Sequence, residues 1–221
     1  MSENYIILQG LPGAGKGTQA RLLEKNLPLK HVSCGDVFRD HVRQRTAFGR
    51  KAQSHIEAGT LTPDEETNEM FLKYLSELST TPSLLLEGFP RTLTQLSSFD
   101  RFIDENGHSL RAMIQLVVAE EELVSRLMTR RMCPKCGRTY NAEAVRPAFS
   151  GRCDVDHETL VQRAEDIDET LIRSRLDTYR KAEQPVVDKF SERGLLVPIP
   201  ADGGVADVTR KISRELMPLL N

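Results

Sequence analysis

Residues 5–19 read YIILQGLPGAGKGTQ, an apolar run followed directly by a glycine-rich stretch. The apolar run predicts a buried strand, and the residues after it predict a tight turn that leads into a helix. Such a turn presents backbone N–H groups beside the positive end of a helix dipole, and together these bind phosphate. Lys16 stands at the spacing of a P-loop, although Gly17 shifts the hydroxyl to Thr18. The alternative is a glycine-rich strand-to-helix turn that holds no ligand.

Alternating strands and helices continue along the chain. Besides 5–9, short apolar runs predict strands at 31–33, 83–87, 112–118 and 195–199. Helical patterns cover 16–26, 36–58 with an interruption near Gly49, 93–105, 120–132, 166–192 and 205–219. One more helix begins at Thr62-Pro63-Asp64-Glu65, which fits a capping box with proline at the first helical position. This alternation predicts an α/β fold with a doubly wound parallel sheet, which binds ligands at the carboxyl ends of its strands.

The composition argues against several classes of protein. A chain of 221 residues forms one or two domains, and a net charge of −2 does not indicate a nucleic-acid or membrane partner. No apolar run approaches the roughly 20 residues that span a bilayer, and no basic secretory signal opens the sequence. We therefore expect a cytoplasmic protein.

The segment after the fifth predicted helix breaks the pattern and predicts an inserted lobe. It carries two close pairs of potential metal ligands, Cys133 with Cys136 and Cys153 with Asp156. Three thiolates and one carboxylate suit tetrahedral Zn²⁺, and four protein ligands leave no open position for catalysis. We therefore expect a structural zinc site. His157 is a rival fourth ligand, and unmetallated thiols in a loop are the alternative.

Arginines stand near the predicted ends of several strands. Arg39 and Arg91 lie just past strand ends, and four more stand later in the chain: Arg126, Arg130, Arg163 and Arg175. Any one of them alone is more often a solvated surface charge. Phosphoryl transfer, however, requires spread negative charge to be neutralised by fixed cations, which guanidinium groups do well.

A carboxylate ends the third predicted strand beside the glycine-rich loop. Glu87 follows the run Ser83-Leu84-Leu85-Leu86. At this position it can orient Mg²⁺, directly or through water. The alternative is a carboxylate that pairs with Lys16 or Arg91.

Five stretches, in order along nearly the whole chain, carry a family resemblance: GLPGAGKGTQ at 10–19, HVSCGDVFRD at 31–40, LLLEGFPRTLTQ at 84–95, CPKCGRTY at 133–140 and QRAED at 162–166. Together they resemble the motifs of adenylate kinases of the long type, which have a zinc-bearing lid. The resemblance implies a monomer with a five-stranded parallel core of residues 1–33, 63–129 and 167–221. It further implies a nucleoside-monophosphate lobe at 34–62 and a lid at 130–166.

The resemblance also implies the reaction, in which Mg-ATP and AMP give two ADP without a covalent nucleophile. It assigns catalysis to Lys16, Arg91, Arg130, Arg163 and Arg175. It assigns ATP binding to Gly13, Ala14, Gly15, Lys16, Gly17, Thr18, Arg126 and Arg130, with Arg126 against the base. It assigns AMP binding to Cys34, Arg39, Leu61, Thr62, Gly88, Arg91, Gln95, Arg163 and Arg175. Gln95 and the backbone of Gly88 would read the adenine.

Three positions depart from the family pattern. Cys34 stands where threonine or serine is usual, which leaves the role of that group in base selection open. Serine there also occurs in relatives that use GTP as donor. Glu87 stands where aspartate is usual. Arg163 and Arg175 are one residue further apart than usual, so Arg173 is the fallback and a local bulge would explain the extra residue.

Other functions remain as alternatives to an adenylate kinase. The nearest is a GTP:AMP phosphotransferase, and a UMP or CMP kinase fits less well because those relatives usually lack the long lid. A slowly hydrolysing nucleotide switch does not need arginines from a mobile lid. A zinc-ribbon nucleic-acid binder would need a stacking platform, and aromatic residues are only 5% of the chain.

Overall fold

A computed structural model describes residues 3–58, 60–78, 83–141 and 145–220, without the side chains of residues 56 and 57. The strands are β1 Asn4–Gln9, β2 Lys30–Ser33, β3 Ser83–Glu87, β4 Ser109–Val117, β5 Arg131–Met132, β6 Thr139–Tyr140 and β7 Leu196–Pro200. Five of them form one parallel sheet in the order β2-β3-β1-β4-β7. The predicted α/β fold with a parallel sheet is therefore confirmed.

Helices cover both faces of this sheet. They are α1 Lys16–Asn26, α2 Cys34–Arg43, α3 Ala47–Glu57, α4 Asp64–Glu77, α5 Leu93–Glu105, α6 Glu120–Thr129, α7 Glu169–Glu192 and α8 Val205–Leu216. Strand β1 lies in the middle, and its successive side chains point to opposite faces. Ile6 and Leu8 join an apolar cluster with α1, α6 and α8, whereas Tyr5 and Ile7 join a second cluster with α4 and α5. Burial on both faces explains why the strand is apolar throughout.

The interruption predicted in the second helix is confirmed, but its predicted position is wrong. The chain leaves the helix at residues 44–46, where Arg45 has a φ of 51°, and not near Gly49. Gly49 lies inside α3. Thr46 caps the start of this helix, because its Oγ1 accepts a hydrogen bond from the backbone N–H of Gly49 at 3.0 Å. A Cβ atom on Gly49 would lie 2.1 Å from the carbonyl oxygen of His41. The glycine therefore permits the close contact between α2 and α3.

The predicted capping box is also wrong. Helix α4 begins at Asp64, so Pro63 occupies the cap position and no side chain there caps the helix. Thr62 does not cap the helix; its backbone carbonyl oxygen accepts a hydrogen bond from the hydroxyl of Thr67 at 3.5 Å. Three acidic residues in the first turn interact favourably with the helix dipole.

Three other helix limits differ from prediction. The helix predicted at 120–132 ends at Thr129, because the chain enters β5, which pairs antiparallel with β6. The helix predicted at 166–192 begins at Glu169, behind a capping Asp168 and a 3₁₀ turn at Ala164–Asp166. The last helix ends at Leu216 and continues as a 3₁₀ turn at Met217–Leu219 that contains a proline. None of the helices in the described residues is long and apolar enough to cross a membrane.

Candidate active site

A cavity of about 290 Å³ opens at the carboxyl ends of the parallel strands. Its walls come from the loops after β1, β2 and β3, from the segment 130–163, and from α7 and the start of α8. Every predicted nucleotide-binding and catalytic residue lines it: Gly13, Ala14, Gly15, Lys16, Gly17, Thr18, Cys34, Arg39, Leu61, Thr62, Glu87, Gly88, Arg91, Gln95, Arg126, Arg130, Arg163 and Arg175. The parallel sheet thus brings together segments that are far apart in the chain.

The glycine-rich loop after β1 holds three glycines at positive φ, Gly10, Gly13 and Gly15. Gly13 and Gly15 have φ of 87° and 94°, a region that side chains rarely adopt. Gly15 stands at the cap position of α1 and has no capping side chain. The first N–H groups of α1 are therefore not occupied by a side-chain cap, as a phosphate-binding helix start requires.

Lys16 is buried and bends back over this loop. Its Nζ donates to the carbonyl oxygens of Gly10 at 2.5 Å and Leu11 at 3.2 Å. Burial and the nearby charge of Arg91 lower the pKa of Lys16 to about 8. The ammonium is therefore held among other cations, in a position that a bound anion would stabilise.

Glu87 faces the same loop, but its partner is not one that the sequence suggested. Its Oε2 lies 3.0 Å from Nε2 of His31 on the neighbouring strand β2. Burial alone would raise the pKa of Glu87, but the His31 hydrogen bond and the Lys16 charge together lower it to about 2. An ionised carboxylate therefore stands beside Gly17, where a Cβ atom would lie 3.5 Å from Oε2.

Two guanidinium groups converge on one buried carboxylate. Arg130 donates to both oxygens of Asp166 at 2.7 and 2.9 Å, and Arg175 donates to Oδ1 at 3.1 Å. Asp166 is fully buried. Burial lowers the pKa of Arg130, against the attraction of Asp166. Burial and the charges of Arg130 and Arg39 lower the pKa of Arg163 to about 9.

Arg175 lines the cavity, and the fallback residue Arg173 does not. Arg173 forms ion pairs with Glu120, Glu121 and Glu169 on the outer side of α7. Between Arg163 and α7 the chain forms a 3₁₀ turn at Ala164–Asp166. A helix starting after that turn presents Arg175 to the cavity.

Two further arginines line the cavity, each with an acidic partner. Arg39 forms an ion pair with Asp36 on its own helix. Arg91 Nη1 lies 2.6 Å from Glu183 Oε1, and its guanidinium stacks 4.6 Å from the ring of Tyr179. Burial pulls the pKa of Arg91 down, but Glu183 and Tyr179 outweigh it and raise the pKa overall.

Both polar and apolar groups line the part of the cavity next to these arginines. Burial raises the pKa of Cys34 to about 12, so the thiol is neutral. Gln95 is buried. The carbonyl oxygen of Gly88 accepts a hydrogen bond from Nε of Arg91 at 2.8 Å. Leu61 and Thr62 line the same wall. The pocket thus presents hydrogen-bonding groups beside an apolar surface, which suits a planar base.

Arg126 also lines the cavity. It donates to Glu122 Oε1 at 2.7 Å and to the carbonyl oxygen of Ala201 at 3.1 Å. These bonds hold its planar group against the loop that leads into α8. Gly203 and Val205 line the cavity beside it.

The four predicted metal ligands meet in the lobe formed by β5, β6 and the turns after them. One donor atom from each of Cys133, Cys136, Cys153 and Asp156 lies within 4.8 Å of the other three. Backbone N–H groups point at two of the sulfurs, including those of residues 135 and 136 at 3.4 Å from Cys133 Sγ. His157 does not belong to this group of potential ligands; its ring packs against Phe149. The set is a Cys₃Asp group with the donor chemistry of a tetrahedral site.

Sequence reasoning missed several residues that hold the site in place. Asp166 and Glu183 bind the arginines, and Tyr179 stacks on two of them. Arg175, Tyr179 and Glu183 are spaced four residues apart on one helix, so they share a face. That spacing was a readable signal once Arg175 was placed at the cavity.

The fold and the site together define a P-loop nucleotide-binding protein of the α/β class. A sequence profile described as adenylate kinase matches residues 8–195. Adenylate kinase of Caldanaerobacter subterraneus subsp. tengcongensis is 37% identical over 212 residues, 96% of either chain. Those of Staphylococcus aureus and Moorella thermoacetica are each 39% identical, over 94% and 96% of this chain and 96% and 97% of their own. The chain belongs to the adenylate kinase family.

Proposed function

We propose that this protein transfers the γ-phosphoryl group of ATP reversibly to AMP and so gives two ADP. The observation that carries the proposal is a single cavity in which a P-loop and arginines from several distant segments converge. Membership of the adenylate kinase family supports the same reaction. Arginines from more than one lobe suit transfer between two bound nucleotides better than hydrolysis.

In this reaction an oxygen of the AMP phosphate attacks the γ-phosphorus of ATP in line. One P–O bond forms as the bond to the bridging oxygen of the leaving ADP breaks. No side chain has to act as a nucleophile, so catalysis consists of positioning and charge stabilisation. Lys16, next to the P-loop, would follow the transferred group, and Arg130, Arg163 and Arg175 would neutralise its equatorial oxygens.

The acceptor phosphate would be held by Arg39 and Arg91. Each arginine has an acidic partner in the structure, Asp36 or Glu183, and the phosphate would share or replace it. The AMP base would lie among Cys34, Leu61, Thr62, Gly88 and Gln95. The ATP base would lie against Arg126, where the planar guanidinium allows a cation–π contact.

Magnesium would accompany the nucleotide beside Glu87. The carboxylate fits this role through water, because it is ionised at neutral pH and stands next to Gly17 of the P-loop. When bound, the ion offsets phosphate charge. His31 would hold the carboxylate in position.

Zinc would occupy the Cys₃Asp group. The donor set fits, because three sulfurs and one carboxylate are gathered around one point and backbone N–H groups stabilise the sulfurs. The lobe has few apolar residues of its own; its core consists of Cys133, Tyr140 and Cys153 with Val145 and Leu160. The role of the metal would therefore be structural.

The same proposal divides the chain into a core of residues 1–33, 63–129 and 167–221, an acceptor lobe at 34–62 and a lid at 130–166. Two hydrogen bonds cross these proposed boundaries: Arg43 Nη1 lies 3.4 Å from the carbonyl oxygen of Lys135, and Arg21 Nη2 lies 3.4 Å from Thr139 Oγ1. We further propose a cytoplasmic monomer without a nucleic-acid or membrane partner.

A coupled assay tests the reaction on purified protein with Mg²⁺. ATP and GTP are offered as donors, and AMP, CMP, UMP and GMP as acceptors, with Lys16→Met as the inactive control. Fast ADP formation from ATP with AMP is the expected result. Preference for GTP with AMP would point to a GTP:AMP phosphotransferase. Absence of acceptor-dependent transfer by folded, zinc-loaded protein would refute the proposal.

A further inference from the structure

Gln95, in the first turn of α5, forms two hydrogen bonds that use opposite ends of its amide. The amide oxygen accepts the backbone N–H of Arg91 at 2.7 Å, and the amide nitrogen donates to Oδ1 of Asp64 at 2.8 Å. Gln95 is only 2% exposed, yet it lines the cavity beside Cys34 and Gly88.

These two partners allow only one orientation of the amide. A backbone N–H can only donate, and a carboxylate can only accept. If the amide turned over, its NH₂ group would face the N–H of Arg91 and its oxygen would face Asp64. Both hydrogen bonds would then be replaced by repulsive contacts.

Asp64 is itself held by the helix that carries Gln95. Its Oδ2 accepts the hydroxyl of Thr92 at 2.7 Å, and Thr92 Oγ1 accepts the backbone N–H of Gln95 at 3.1 Å. The first residue of α4 and the start of α5 therefore form a closed ring of hydrogen bonds. This ring fixes the carboxylate relative to the amide.

An amide held in this way keeps one N–H and one oxygen lone pair for a ligand, in a fixed order. Adenine presents an amino donor next to a ring-nitrogen acceptor. A 6-oxopurine presents the opposite pair, an oxygen acceptor next to a ring N–H donor. With the nucleotide phosphate held by Arg39 and Arg91, the base is not free to turn over and restore the match.

We infer that Asp64 is a positioning residue that sets the preference for adenine over 6-oxopurine monophosphates, by locking the orientation of Gln95. The inference rests on the proposed function, in which Gln95 reads the acceptor base. Asp64 does not touch the nucleotide in this account. Its effect passes through the Gln95 amide.

The test compares AMP with IMP as acceptor, because IMP has the 6-oxopurine edge without the additional amino group of guanine. Asp64→Asn keeps the shape of the side chain but lets it donate as well as accept, so it no longer opposes the turned-over amide. Only the backbone N–H of Arg91 still favours the original orientation. We expect the ratio of kcat/KM for IMP to that for AMP to rise about tenfold. This is the discrimination between the two bases that one hydrogen bond provides. The change should appear in the acceptor KM, with little change in the KM for ATP.

Glu65→Gln is the matched control, because it removes one negative charge from the same helix turn at an exposed side chain. Its IMP-to-AMP ratio should equal that of the wild type. If Asp64→Asn does not fold, Thr92→Val removes the hydroxyl that anchors Asp64 and should shift the ratio in the same direction.

An unchanged ratio in a folded variant, with wild-type AMP transfer intact, would overturn the inference alone. A wild-type protein without AMP-dependent transfer would instead remove the proposed function on which it rests. The two failures are therefore distinguishable in one set of assays.

Discussion

Buried cations dominate the cavity at the scale of single residues. Lys16 and Arg163 carry pKa values lowered to about 8 and about 9, because burial and neighbouring arginines disfavour their charged forms. A polyphosphate entering the cavity would reverse this balance and favour protonation. Binding of the nucleotide would therefore strengthen the charge that transfer needs.

This arrangement predicts pH-dependent nucleotide binding. Above about pH 8 the free protein loses the Lys16 proton, and binding must recover it, so affinity for MgATP should fall by up to about tenfold per pH unit. Calorimetric titration between pH 7 and 9.5, in buffers of different ionisation enthalpy, measures both affinity and proton uptake. Lys16→Met should bind weakly, with a flat profile between pH 7 and about 8.5, below the range in which Arg163, with a pKa of about 9, loses its proton. A flat profile in the wild type would contradict the prediction.

The ion pair of Glu183 with Arg91 predicts that AMP binding affects the thermal stability of a Glu183 variant. Glu183→Gln removes the counter-charge of the buried Arg91 and should lower the free energy of unfolding of the nucleotide-free protein by about 1–3 kcal/mol. AMP would supply a new counter-charge, so it should raise the melting temperature more in the variant than in the wild type. Thermal unfolding with and without AMP measures this difference.

Asp100→Asn is the control for Glu183→Gln. It breaks the half-buried pair with Arg193, whose two residues do not line the cavity. AMP should shift its melting temperature by the same amount as in the wild type. Equal AMP shifts in all three proteins would mean that phosphate does not replace Glu183.

At the scale of elements, the crossing of α2 and α3 depends on one glycine. Gly49→Ala would force a Cβ atom against the carbonyl oxygen of His41, so the two helices must separate. We expect a loss of stability of about 1–3 kcal/mol and weaker AMP binding, because α2 carries Arg39. Gly204→Ala, where the added Cβ would meet open space, should cost less than about 1 kcal/mol. Denaturant unfolding and AMP titration of both variants provide the comparison.

The lid lobe provides the second prediction at this scale. Asp156→Ala should lose the proposed zinc ion and lower the melting temperature by at least about 5 °C, because the ion would take the place of a hydrophobic core there. His157→Asn should retain zinc, since His157 lies outside the group and asparagine tolerates its φ of 58°. Metal content by mass spectrometry and calorimetry test both. Zinc loss in His157→Asn with retention in Asp156→Ala would reverse the ligand assignment.

At the scale of the whole molecule, the sheet places the site. Parallel strands end at one edge, so residues as far apart in the chain as Pro12 and Val208 line one cavity, and α7 lines it through Arg175 and Tyr179. Helix α7 also contributes to both apolar clusters, through Ile172 and Leu176 to one and Val186 and Phe190 to the other. The same helix therefore supports the core, carries Arg175 and Tyr179 to the cavity and brings Glu183 to Arg91.

The sequence alone determined the features that depend on local pattern. Short apolar runs located all five strands of the sheet, because a strand buried on both faces must be apolar throughout. The P-loop was readable because glycine is required at fixed positions next to Lys16. The Cys₃Asp group was readable because its close pairs keep a fixed spacing.

Only the tertiary structure decided the features that depend on contacts between distant segments. The break between α2 and α3 and the true start of α4 follow from helix packing, which a local pattern does not contain. The partners of the functional side chains were likewise hidden: Glu87 with His31, Arg91 with Glu183, and Gln95 with Asp64 are separated by 56, 92 and 31 residues. A buried charge or amide must be satisfied by whichever group the fold brings beside it, and chain spacing does not reveal that group.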